Sequence, residues 1–145
     1  MTSLDTPPSS TYALRLHARG QLLPVVLECW NEAPGAPEQV MLQLNGANLT
    51  VAARHLQGYF RALCDLRARL EKDGLFLECY GASKNVYPSP MMESMGYGER
   101  AYRLTLGKHA TKLDVVGIFE SGPDVTPTTV GAQIEYYETW LKSLR

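Results

Sequence analysis

At 145 residues, with 45% hydrophobic and 20% charged side chains, the chain has the composition of one globular domain, large enough to bury a core. Its 14 basic and 15 acidic residues give a formal net charge of −1, which excludes the basic excess of a dedicated nucleic-acid binder. No apolar run approaches the ~20 residues of a membrane-spanning helix. The opening residues MTSLDTPPSS also lack a basic segment followed by an apolar one. A cytoplasmic protein with neither nucleic acid nor membrane as partner is therefore expected.

In chain order, residues 1–10 read as a flexible lead, and residues 11–145 as a single α+β domain. Tyr12–His17 alternates apolar and polar residues, the pattern of a half-buried strand. Gly20 turns the chain into the apolar run Leu22–Trp30, where Pro24 suits an edge position. After the loop Asn31–Pro37, a third strand, Gln39–Leu44, ends at the turn signal Asn45-Gly46. A helix capped by Thr50 is expected next. Its buried stripe would be Leu56, Tyr59, Phe60, Leu63, Leu66 and Leu70, and Asp73-Gly74 would stop it. Leu75–Tyr80 then reads as a fourth strand. Alternation resumes at Tyr102, Leu104 and Leu106, and Leu113–Phe119 is a further apolar strand. A closing helix, Thr128–Leu144, carries the stripe Val130, Ile134, Tyr137, Leu141 and Leu144, with Trp140 beside it. The resulting order is βββαβββα: a two-layer sandwich of about six largely antiparallel strands covered by two helices.

The residues offer little catalytic chemistry. Cys29, Cys64 and Cys79 form no CxxC pair and no zinc spacing, so they read as buried structural thiols. His17, His55 and His109 have no partner at metal-ligand spacing. Ser83, Ser89 and Ser94 lack a nucleophile-elbow context, and Gly96-Tyr97-Gly98 is not a phosphate loop. Neither a metal nor an organic cofactor is expected, and the chain does not read as an enzyme.

The segment Gly81–Tyr102 stands apart. Its 22 residues hold Met91, Met92, Met95, Tyr87, Tyr97 and Tyr102 together with two prolines and three glycines. That content forbids one continuous helix or strand, yet it is too apolar for a solvated linker. An ordered loop follows, with at most one helical turn around Ser89–Met95. Flexible thioethers and amphipathic tyrosines suit an adaptable contact surface. The candidate partner-binding residues are Lys84, Asn85, Tyr87, Met91, Met92, Glu93, Tyr97 and Glu99. Tyr87, Met91, Met92 and Tyr97 are expected on the exposed side, with Met95 and Tyr102 on the buried side.

The run GASKNVYPSPM at Gly81–Met91, followed by MGYG at Met95–Gly98 and Ala101-Tyr102, resembles a GAxxxxYPSGM…MGxG…AY pattern. That pattern belongs to small bacterial proteins, some of them similar to immunity proteins of polymorphic toxins and type VI secretion systems. The YYETWL ending at Tyr136–Leu141 is part of the likeness, while Pro90 departs from the expected glycine. The pattern assigns no residue a role. The resemblance implies a small stable domain that binds a cognate toxin or effector protein, one acting in the cytoplasm, and neutralises it sterically. Two other readings stay open. One is a small-ligand binder or enzyme with a pocket under the 81–102 loop, using Ser89, Arg100 and Tyr97; the other is an effector chaperone or adaptor.

Overall fold

The computed structural model describes residues 6–145, so residues 1–5 of the expected lead lie outside the described residues. From Thr6 onward the chain is tied to the body. Trp30 Nε1 donates to Thr6 O at 2.9 Å, and Ser9 N to Cys29 O at 2.7 Å.

The fold is α+β and antiparallel. Five strands form one curled sheet: β1 (Ser10–Ala18), β2 (Gln21–Trp30), β3 (Val40–Gly46), β4 (Leu49–His55) and β5 (Leu75–Glu78). Their order across the sheet is β4-β3-β2-β1-β5. The first four are a meander, because each pair is joined by a connection too short for a crossover. Pro24 lies beyond the last β2–β3 pair, Val26 with Asn45, where its missing N–H removes no bond to β3. Helix α1 (Tyr59–Glu71) then carries the chain from one edge strand to the other. Four strand spacings amount to about 19 Å, and a 13-residue helix rises about 20 Å, so α1 is long enough for that return. Its Phe60, Leu63, Leu66 and Leu70 pack on the inward residues Leu16, Leu27, Leu42, Leu44 and Leu77.

Two departures from the sequence reading follow from one turn. Ala47 and Asn48 both adopt left-handed backbone, at φ 52° and 62°, so the reversal falls just after Asn45-Gly46 rather than at it. The hairpin leaves room for β4, and Thr50 is a strand residue instead of a helix cap. Leu49, Val51 and Ala53 point into the core, whereas Leu56, assigned to the helical stripe, is 65% exposed and precedes α1. Gly58 is the residue that starts α1, without a side-chain cap.

The remaining strands build a second sheet instead of extending the first. Strands β6 (Val86–Tyr87), β7 (Arg100–Arg103) and β8 (Val115–Gly117) pair antiparallel in the order β6-β7-β8. Helix α2 (Pro90–Ser94) lies between β6 and β7 in sequence. The closing helix, α3 (Val130–Ser143), is capped by Thr129 Oγ1, which accepts from Ala132 N at 3.0 Å. It packs against β6 and α1 rather than across the five-stranded sheet, so among the described helices α1 is the one that fills the second layer there. No helix among the described residues is long and apolar enough to cross a membrane.

Candidate partner-binding surface

The 81–102 segment divides into a buried half and an exposed half. Its entry is a 3-10 turn at Tyr80–Ala82, whose Tyr80 and Gly81 amides donate to Glu120 O and Ile118 O, each at 2.8 Å. Gly81 is required by crowding: an added Cβ would sit 2.5 Å from Leu63 Cδ2 and 2.9 Å from Ile118 Cβ. Two buried polar side chains hold the carbonyls that follow. Gln133 Nε2, from α3, faces the oxygens of Gly81 (3.0 Å), Ser83 (3.0 Å) and Val86 (2.8 Å). Arg67, from α1, donates to Gln133 Oε1 at 2.6 Å, Gly81 O at 3.1 Å and Thr128 O at 2.9 Å. Burial lowers the Arg67 pKa, and the neighbouring acceptors meet its charge with hydrogen bonds. Ser83 Oγ donates to Asn85 Oδ1 at 2.7 Å and accepts from Thr126 N at 2.9 Å.

Several expected contact residues belong to this buried or distant half. Tyr87, expected to be exposed, is 8% accessible. It stacks on Tyr137 with 4.3 Å between centroids and meets Phe60 edge-on at 5.1 Å. Its β6 register opposite Tyr102 points it into the core between α1 and α3. Asn85 closes the loop through Ser83, and Lys84 is exposed with Nζ 6.0 Å from the Tyr136 ring centre.

The exposed half begins at Ser89. Its Oγ accepts from Met92 N at 3.2 Å, and Pro90 occupies the first turn of α2, where a missing N–H is harmless. Glu93 binds Arg61 with both oxygens, Nε to Oε2 at 2.7 Å and Nη2 to Oε1 at 2.9 Å. This hydrogen bonding raises the Arg61 pKa, with partial burial opposing it. The turn after α2 is fixed at a second point, where Tyr59 N donates to Tyr97 O at 2.7 Å. Gly58 makes that approach possible. It has φ 101°, and a Cβ there would lie 2.7 Å from Tyr97 O. Helix α2 and its turn are thus pinned to the start of α1.

This pinned element presents Met91 (70% exposed), Met95 (62%) and Tyr97 (43%) to solvent. Met95 was expected to be buried; its position four residues after Met91 follows the helical repeat and puts both on the outer side. A groove of about 640 Å³ is lined by Met91, Met92, Met95, Glu99, Arg100 and Lys112, among others. A second groove, about 600 Å³, runs between α2 and the start of α1 past Asn31, Arg61, Glu93 and Tyr97. A third, about 200 Å³, is lined by Tyr87, Tyr102, His109, Tyr137 and Trp140. Of the expected contact residues, Met91, Met92, Glu93, Tyr97 and Glu99 therefore gather around α2, while Lys84, Asn85 and Tyr87 do not. Lys112 and Trp140 were missed, because their proximity to α2 and Tyr102 arises only from the tertiary fold.

The ingredients of the pocket-enzyme reading do not converge. Ser89 and Arg100 line the methionine groove, but the Ser89 hydroxyl is occupied in capping α2, and Tyr97 lines the neighbouring groove. Burial pushes the Cys29 thiol up to about 12 and that of Cys79 to about 11, and raises that of Cys64. All three stay thiols near neutral pH, poor nucleophiles. His17 pairs with Glu78 at 2.9 Å, and His55 Nδ1 accepts from Gln57 N at 2.9 Å. Among the described residues no group of three or more His, Cys, Asp or Glu side chains is placed to hold a metal ion. No protein-family model matches this chain, and no curated protein matches it.

Proposed function

We propose that this chain is an immunity-type protein, which binds a cognate cytoplasm-acting bacterial toxin through the α2 face and occludes it. The observation that carries the binding half of this reading is the exposure of Met91, Met95 and Tyr97 on an element pinned by Arg61–Glu93 and Tyr59–Tyr97. Preformed apolar surface loses little order on association, and methionine adapts to the shape of its partner. A partner of standard size would bury about 800 Å² on each side, more than α2 alone offers. Neighbouring parts of both flanking grooves would join the contact. The immunity half rests on the GAxxxxYPSGM-like pattern of Gly81–Tyr102.

The test is co-expression with the product of the neighbouring gene in a susceptible host, followed by co-purification. Rescue with a stable one-to-one complex is expected. Rescue without a complex would replace binding by enzymatic reversal of the damage, and a complex without rescue would make the chain a chaperone or adaptor. A harmless neighbour removes the toxin from the account.

A further inference from the structure

The methionine groove and the aromatic pocket adjoin across Ser89 and Tyr102, which line both. The aromatic end is prebuilt: Tyr137 is stacked on Tyr87, and Trp140 Nε1 is held by Lys108 O at 2.9 Å. Among the described residues no carboxylate lines that end. The methionine end carries Arg100 and Lys112, both exposed and neither in an ion pair with another described residue. Among the described residues Glu99 is the single carboxylate lining the same groove. Cations therefore outnumber anions along an otherwise apolar path.

We propose that this combined groove receives an extended acidic–aromatic segment of the protein partner. An aromatic or proline side chain enters the Tyr137–Trp140 end, and a carboxylate of the same segment lies beside Arg100 and Lys112. The inference rests on the partner-binding reading and adds the chemistry of the bound segment. Ring-lined pockets hold flat apolar side chains by offset and edge contacts. Guanidinium and ammonium groups at the rim select the acidic neighbour over a basic one.

The probes are three capped tetrapeptides: phenylalanine-proline with two glutamates, the same with two lysines, and alanine-proline with two glutamates. Each is titrated into the full chain while the Trp140 indole and Tyr102 amide resonances are followed. Saturable shifts at both residues are expected below about 10 mM for the first peptide. Binding should be roughly tenfold weaker for each of the others, as loss or reversal of exposed charge contacts and loss of a ring permit. In an R100E/K112E variant, altered only at exposed positions, the order of the glutamate and lysine peptides should reverse. Equal binding of those two peptides, an unchanged order in the variant, or no shift at Trp140 and Tyr102 would each overturn the proposal. A chain that rescues from the toxin but shows no peptide preference overturns this assignment and leaves the partner-binding reading standing. A clear peptide preference without rescue keeps this assignment and overturns the immunity half of the reading alone.

Discussion

Arg67 Nη1 donates to Gln133 Oε1 at 2.6 Å, both side chains buried, and together they hold the carbonyls of Gly81, Ser83, Val86 and Thr128. This polar knot joins α1, α3 and the entry of the 81–102 segment. Ser83 O also accepts from Val86 N at 3.2 Å, and leaving a buried carbonyl without a donor costs about 1–3 kcal/mol per group.

Gln133→Leu should therefore destabilise the fold by about 2–3 kcal/mol, and Arg67→Met by a similar amount. Their effects should not add, since each removes part of the same network; a coupling of about 1–2 kcal/mol is expected from a double-mutant cycle. Urea unfolding at fixed pH measures all three values. Additive effects would show that the two side chains act separately.

Gly58→Ala tests how the α2 face is held. Its Cβ would meet Tyr97 O at 2.7 Å, on a residue whose φ is already 101°. The turn at Tyr97 must shift, at a cost of about 1–3 kcal/mol. Hydrogen exchange at the Tyr59 amide, which donates to Tyr97 O, should rise more than at amides in the centre of α1. A uniform rise across the chain would point to global loss of stability instead.

Arg61→Ala isolates the other pin. The pair with Glu93 is bidentate and partly exposed, so about 1 kcal/mol of stability or less is at stake. The expected result is a small change in unfolding midpoint with faster exchange in Pro90–Ser94, and several-fold weaker partner binding. Unchanged exchange in that helix would show that the pair does not order it.

Glu78 gives a pH signature distant from the site. Partial burial works against its charge, but hydrogen bonds from Arg15 (2.6 Å) and His17 (2.9 Å) outweigh this and hold its pKa below the ordinary 4.5. A folded-state pKa below the unfolded one means that its contribution is complete above about pH 4.5. That contribution is lost as pH falls through the lowered value. Arg15 is largely exposed, so the effect is about 1 kcal/mol or less. Glu78→Gln should flatten stability against pH in that acidic window and leave the profile near neutrality parallel to that of the parent. An unchanged acid limb would remove Glu78 from the explanation.

Much of this architecture was legible in residue order. Alternation located β1 and β3, the Phe60–Leu70 stripe located α1, and the one helical turn allowed around Ser89–Met95 is where α2 lies. Strand β4 was hidden because Thr50 reads as the cap of the helical period that begins at Leu56, and only the left-handed Ala47-Asn48 pair reveals the hairpin. The division into two sheets depends on long-range pairing of strands two to four residues long, which leave almost no periodic trace. At the site, composition singled out the correct segment but not its inward and outward sides. Tyr87 lies inward because it pairs opposite Tyr102 and stacks on Tyr137, a residue 50 positions later.

The central claim is most directly tested by titrating the neighbouring gene's product into the parent chain and into M91E/M95E, with heat of binding as the readout. Both methionines are exposed, so the variant should unfold at the parent's midpoint within about 0.5 kcal/mol. The account predicts tight one-to-one binding by the parent and a loss of at least about a hundredfold, or about 2.7 kcal/mol, in the folded variant. Equal affinity for the two proteins would contradict it and move the contact away from α2.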